Sequence, residues 1–229
     1  FTTAQWYESM NKLVSSRGYK PTGKQTSLLD VSLSGTSSLA EGQYTVKRFS
    51  YLIHEGRNYT TLKDISFEKT NSLIETLATD YDILHQGTIT PYTQYTATGE
   101  EFEVVKVVNK NNLVPSPTQF IADNTFTVFV KSSDDSVWRE YGETASLFLE
   151  EVTSLKYEKR YNENGNFEFK FGNDINGKKL KEGDIVQIYY ILSDGNSGSI
   201  STNVLTDKTF NIYNTPTFNE ISNDIYSSD

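Results

Sequence analysis

The residues of this chain able to do chemistry are two histidines, three pairs of adjacent acids and a scatter of serines. His54 follows Tyr51, Leu52 and Ile53, and His85 follows Ile83 and Leu84, so both read as strand residues in apolar runs. A zinc centre needs further ligands at set spacing, and the chain has neither a His-Glu-x-x-His run nor a paired-His spacing. No serine lies in Gly-x-Ser-x-Gly, so a serine hydrolase has no local signature. The acids pair as Glu100-Glu101, Asp134-Asp135 and Glu150-Glu151. Glycoside hydrolysis needs two carboxylates roughly 5 to 10 Å apart across a cleft. Neighbours on a strand point to opposite faces, so no pair supplies that geometry alone. A calcium loop of the EF-hand kind also fails. With Gly177 as the central glycine it would begin at Gly172 and end at Gly183; with Gly165 it would begin at Arg160 and end at Phe171, and none of these four is an acid. There is no phosphate-binding glycine loop and no dinucleotide fingerprint. The expectation is a protein that is not an enzyme, with no cofactor and no metal.

Composition points the same way. The chain has 229 residues, 30 acids against 21 lysines and arginines, and a net charge of −9. That charge repels phosphate backbones and argues against nucleic acid as a partner. The longest basic run, Lys178-Lys179-Leu180-Lys181, reads as a solvated loop or as a contact with an acidic neighbour subunit. There is no cysteine, so neither disulfides nor thiolate metal sites can form. No apolar run is long enough to span a membrane, and Phe1 to Met10 is too polar for a signal peptide. Fifteen tyrosines and thirteen phenylalanines can fill a core, and with many Thr, Val and Ile they favour strands.

The elements that must position these residues are read from periodicity. Trp6, Met10, Leu13 and Val14 make one apolar stripe, a short helix ended by Gly18 and turned by Pro21 and Gly23. Strands are expected at Leu29–Leu33, Gln43–Val46, Arg48–His54, Tyr59–Leu62, Tyr81–Thr90, Glu101–Val108, Thr125–Val130, Val137–Tyr141, Tyr157–Tyr161, Phe167–Phe171, Asp184–Leu192 and Ser199–Val204. Asn71–Ala78 favours strand by its alternation, and Thr144–Glu151 reads as a helical turn. The segment Asn109 to Pro117 cannot hold a helix and marks where the chain would divide into two lobes. The expected fold is mainly β, sandwich-like and all or mostly antiparallel, behind a short N-terminal helix. The domains are 1–24 helix and turn, 25–206 β-rich unit, and 207–229 tail or linker.

The most informative stretch is Asn166 to Gly198. Phe167, Phe169 and Phe171 alternate with polar residues and stop at Gly172. After a loop punctuated by Gly177 and Gly183 comes a strand that is apolar on both sides. Ile185, Gln187, Tyr189 and Ile191 share one face, and Val186, Ile188, Tyr190 and Leu192 the other. Such a strand requires cover on both faces.

Several motifs here resemble the baseplate J-like proteins, a family that includes wedge proteins of contractile phage tails. The matching residues are Phe171-Gly172, Asn176-Gly177, Gly183-Asp184-Ile185, Tyr189-Tyr190 and Gly195-Asn196-Ser197-Gly198. Upstream, Gly18-Tyr19-Lys20-Pro21 resembles the family's turn between helix and first strand, and Trp138 opens a matching Trp-x₈-Leu-x-Leu stretch. The similarity runs from about Tyr7 to Ile200. Leu180 departs from it, standing where relatives often carry proline. The resemblance implies a structural component of a baseplate wedge in the virion, assembled in the host cytoplasm. It implies other wedge proteins as partners, a second copy joined through regions beyond this chain, and no membrane. The expected contact surfaces are the loop holding Asn173, Asp174, Asn176, Gly177, Lys178, Lys179 and Lys181, the loop holding Tyr92 and Tyr95, and the tail with Phe210, Ile212, Tyr213 and Phe218. The competing reading is a carbohydrate-binding β-sandwich of an adhesin or receptor-binding protein, with Tyr92 and Tyr95 stacking on sugar rings.

Overall fold

The structure is a computed structural model. It describes residues 22–31, 40–70, 73–76, 83–92, 94–108, 119–162, 165–201, 204–205 and 208–226. The expected helix over Trp6 to Val14 and the expected break at Asn109 to Pro117 lie outside these residues.

The described chain is mainly β, as expected, with one parallel strand pair among antiparallel ones. A four-stranded sheet orders β1 (Leu28–Asp30), β7 (Ile83–Gln86), β4 (Arg57–Thr61) and β3 (Tyr51–His54). A three-stranded sheet orders β2 (Gly42–Val46), β5 (Ile65–Thr70) and β6 (Leu73–Thr76). The largest sheet has nine strands. Its main path is β10 (Val104–Val107), β15 (Phe167–Lys170), β14 (Lys156–Tyr161), β13 (Trp138–Thr144), β12 (Thr127–Lys131), β16 (Ile185–Ser193) and β11 (Phe120–Ile121). Two short strands, β8 (Thr88–Pro91) and β9 (Tyr95–Thr96), pair the other side of β16.

β16 is the axis of the molecule. Tyr189 pairs Thr127 on one side and Pro91 on the other, and Ile185 pairs Lys131 and Thr96. Its two faces separate as the alternation predicts. Val186, Ile188, Tyr190 and Leu192 enter a core with Val105, Val107, Val128, Val130, Tyr157, Phe167, Phe169 and Phe171. All of these come from the same large sheet or its ends, so that sheet curls round its own interior. The expected sandwich of two facing sheets is replaced by this curl. Tyr189 and Ile191 enter a second core with Phe49, Phe129 and Trp138.

The cover over that second face corrects the reading of 207–229 as tail or linker. Residues Pro216–Tyr226 form a helix, α1. Phe218, Ile221 and Ile225, at i, i+3 and i+7, bring its apolar side onto the second core. Thr215 accepts a hydrogen bond from the Phe218 amide at 3.2 Å, and Pro216 takes the first helical position, where its missing N–H costs nothing. Polar residues outnumber apolar ones in this segment, but three well-spaced side chains suffice.

Two other expectations change. The single strand expected at Tyr81–Thr90 is broken at Gly87 into β7 and β8, which belong to different sheets. Gly87 has φ +134°, and a Cβ there would overlap the Leu192 carbonyl. The strand expected at Ser199–Val204 is not formed over 199–201, where the chain leaves a 3₁₀ turn at Gly195–Gly198 as irregular backbone.

Candidate functional site

Three loops meet at one end of the large sheet. The first leaves β13 and makes one 3₁₀ turn at Leu147–Leu149. The turn sends Leu147 inward, fully buried, and throws its two neighbours outward: Phe148 is 66% exposed and Leu149 82%. Val152 follows at 46%.

The second loop runs from Phe171 to Asp184 and holds itself by hydrogen bonds. Asn173 Oδ1 accepts from the amides of Ile175 at 3.2 Å and Asn176 at 2.8 Å. Asp174 Oδ1 accepts from the Lys179 amide at 3.0 Å and lies 3.2 Å from the Lys178 ammonium. Burial acts to raise the Asp174 carboxyl, and these donors outweigh it and hold it below the usual aspartate value. Gly177 has φ +74°, and a Cβ there would lie 3.0 Å from Leu147 Cδ2. The first two loops are tied directly: the Lys178 amide donates to the Ser154 carbonyl at 2.9 Å. At the outer tip Ile175 is 72% exposed.

The third loop, before β10, carries Phe102. Its amide donates to the Gly172 carbonyl at 3.1 Å, and its ring centroid lies 6.0 Å from that of Phe148. Lys170, at the end of β15, places its ammonium 4.1 Å from the Phe102 ring and 5.6 Å from the Phe148 ring. Phe102 has φ +52°, a conformation costly for a bulky residue. Phe148, Leu149, Val152 and Ile175 are thus exposed apolar side chains on two loops tied to each other, with this cation over the Phe148 ring. Apolar groups gathered in this way mark contact sites more often than scattered ones do.

The expected contact loop at Asn173–Lys181 carries one exposed large apolar residue, Ile175, which its polar neighbours hid in the sequence. Asn173, Asp174, Asn176 and Gly177 shape the loop from within. Lys178 pairs with Asp174, and Lys181 pairs with Asp134. Phe148 and Leu149 were not legible as exposed, because a helical turn does not say which of its residues faces in.

The other expected surfaces turn inward. Tyr92 and Tyr95 are half-buried, with their rings against the first core. The Tyr95 hydroxyl donates to Glu103 at 2.8 Å, which raises its pKa. Glu103 is buried and also accepts from the Thr98 amide at 2.7 Å, the Thr98 hydroxyl at 3.1 Å and the Gly99 amide at 3.1 Å. In the tail, Phe210 packs against Leu52, Tyr59 and Leu84. Tyr213 and Phe218 pack on Phe49 and Tyr189. Ile212 alone of that group is exposed.

His54 and His85 lie on non-adjacent strands of the four-stranded sheet. Among the described residues no group of three or more His, Asp or Glu could hold a metal ion. A cleft of about 580 Å³ is lined by Arg48, Asp64, Asn124 and Glu140, among others. There the Arg48 guanidinium meets Glu140 at 2.8 Å, and Asp64 accepts from the Arg48 amide at 2.7 Å and meets the Lys47 ammonium at 3.2 Å. No protein-family model and no curated protein matches the chain.

Proposed function

We propose that this chain is a structural component of a contractile-tail baseplate wedge, joining neighbouring subunits and letting them rearrange. The observation that carries the reading is the loop-end surface. Four large apolar side chains stand out from interlocked loops in a strongly acidic chain. The motifs that resemble the baseplate J-like proteins supply the context. Two of them, Phe171-Gly172 and Asn176-Gly177, frame the Ile175 loop, and the Gly195–Gly198 motif forms the turn that ends β16.

The function is mechanical. A wedge interface has to be strong in sum and still able to switch, which suits a modest apolar centre with a charged rim. The partners are other wedge proteins and a second copy of this chain, in the virion tail, assembled in the host cytoplasm. The test is co-assembly with contractile-tail proteins from the same source, followed by size-exclusion chromatography and electron microscopy. Phe148→Ser with Leu149→Ser should abolish co-assembly and leave the fold intact. Normal assembly by that variant, or specific glycan binding with no tail partner, would overturn the proposal.

A further inference from the structure

We infer that the loop-end surface takes a protein segment in which a carboxylate stands beside large apolar side chains, with the carboxylate meeting Lys170. This rests on reading the surface as an interface and goes on to specify the partner's chemistry.

Lys170 is the cation that lies over the aromatic rings of this surface. Two lysines of the neighbouring loop are paired within the chain, Lys178 with Asp174 and Lys181 with Asp134. Across the strands Lys170 stands opposite Glu158 and Val104. The Glu158 carboxylate is held by Arg160 at 2.9 and 3.0 Å. Among the described residues, Lys170 has the two rings of Phe102 and Phe148 as its partners and no carboxylate.

An ammonium held over the Phe102 ring and the exposed Phe148 ring loses water when that surface is covered. A partner that offers only apolar groups would leave the charge unpaired, which is costly; one that adds a carboxylate turns the cost into a charge-assisted hydrogen bond. An anionic bilayer also offers negative charge beside apolar groups. Glu100, Glu101, Glu150 and Glu151 lie on the same loops and repel a continuous anionic surface. A single carboxylate on a peptide needs only to reach Lys170. The bond from the Phe102 amide to the Gly172 carbonyl holds that backbone in place before the partner arrives.

The test selects binders from a random peptide library on the intact folded chain. Selected peptides should be enriched in Asp or Glu next to Phe, Trp or Leu. Leu149→Ser should remove most of their binding. Lys170→Met should weaken it by about tenfold, the order of one charge-assisted contact, Lys170→Arg should largely keep it, and Lys170→Glu should shift selection toward Lys and Arg. Peptides that depend on Leu149 but show no acidic preference, and are unaffected by Lys170→Glu, overturn the carboxylate and leave the interface standing. Binding only to anionic vesicles overturns it in favour of a membrane. Peptides indifferent to Leu149 and Phe148 overturn this inference, while co-assembly with tail proteins judges the wedge reading separately.

Discussion

Gly198 and Gln86 share one space: a Cβ on Gly198 would overlap Cγ and Cδ of Gln86. That side chain is a junction between the four-stranded sheet and β16. Its Oε1 accepts from the Ser193 hydroxyl at 2.8 Å and the Asp194 amide at 2.9 Å, and its Nε2 donates to Asp194 at 3.2 Å. Gly198→Ala should push Gln86 off these partners and destabilise the fold by about 1–3 kcal/mol. Urea denaturation measures it. In a Gln86→Ala background the added methyl has room, so the same substitution should cost much less. Equal costs in both backgrounds would refute the relationship.

Glu103 closes the Tyr95–Gly99 loop. Burial acts to raise its carboxyl, and the bonds from Thr98, Tyr95 and Gly99 win and lower it below the ordinary glutamate value. A depressed carboxyl favours the folded state when ionised. Its stabilisation is complete above the unfolded value of about 4.3, and is lost as pH falls from there through the folded value. Glu103→Gln should reduce stability at neutral pH and flatten the acid limb of the curve. Denaturant titrations from pH 7 to 3 would reveal an unaltered limb if the carboxylate were not ionised in the fold.

His85 works in a neighbouring pH window. Burial pushes its imidazole down to about 4, and its Nδ1 has no hydrogen-bond partner among the described residues. The folded state favours the neutral ring. Its contribution is complete above the unfolded value of about 6.5 and is lost as pH falls toward 4, a loss of about 3 kcal/mol at most. His85→Leu should remain stable across that window where the parent weakens. Parallel pH curves for the two proteins would show that the ring is accessible to protons.

How much was legible follows from particular residues. The two faces of β16 were readable because period-two alternation over nine residues admits one arrangement. The need for cover was readable as well, but the neighbour is α1 of the same chain. Thr215-Pro216 ahead of Phe218, Ile221 and Ile225 was a usable signal for it. Gly87 was not readable as a break, because what forbids a side chain there is the Leu192 carbonyl, distant in sequence. Phe148, Leu149 and Ile175 were not readable as a surface, because their exposure depends on Leu147 docking under Gly177.

The helix gives a separate test. Phe218→Ala removes a buried ring from contact with Phe49 and Tyr189 and should cost about 3–5 kcal/mol. Glu220→Ala breaks an exposed ion pair with Lys131 and should cost less than about 1 kcal/mol. A free tail would make both changes silent in thermal denaturation.

Gly177 and Ile175 separate folding from assembly. A side chain at Gly177 meets two obstacles at once, φ +74° and the Leu147 methyl 3.0 Å from the Cβ position. Gly177→Val should therefore destabilise the fold itself, by roughly 1–3 kcal/mol, and any loss of assembly would follow from damage to the loop. Ile175 stands in solvent, so Ile175→Ser should change stability by less than about 0.5 kcal/mol. If the surface is an interface, the serine variant loses partners while its denaturation curve overlays the parent. A serine variant that unfolds early would mean Ile175 is structural. One that assembles normally would remove Ile175 from the interface and leave Phe148 and Leu149 to carry it.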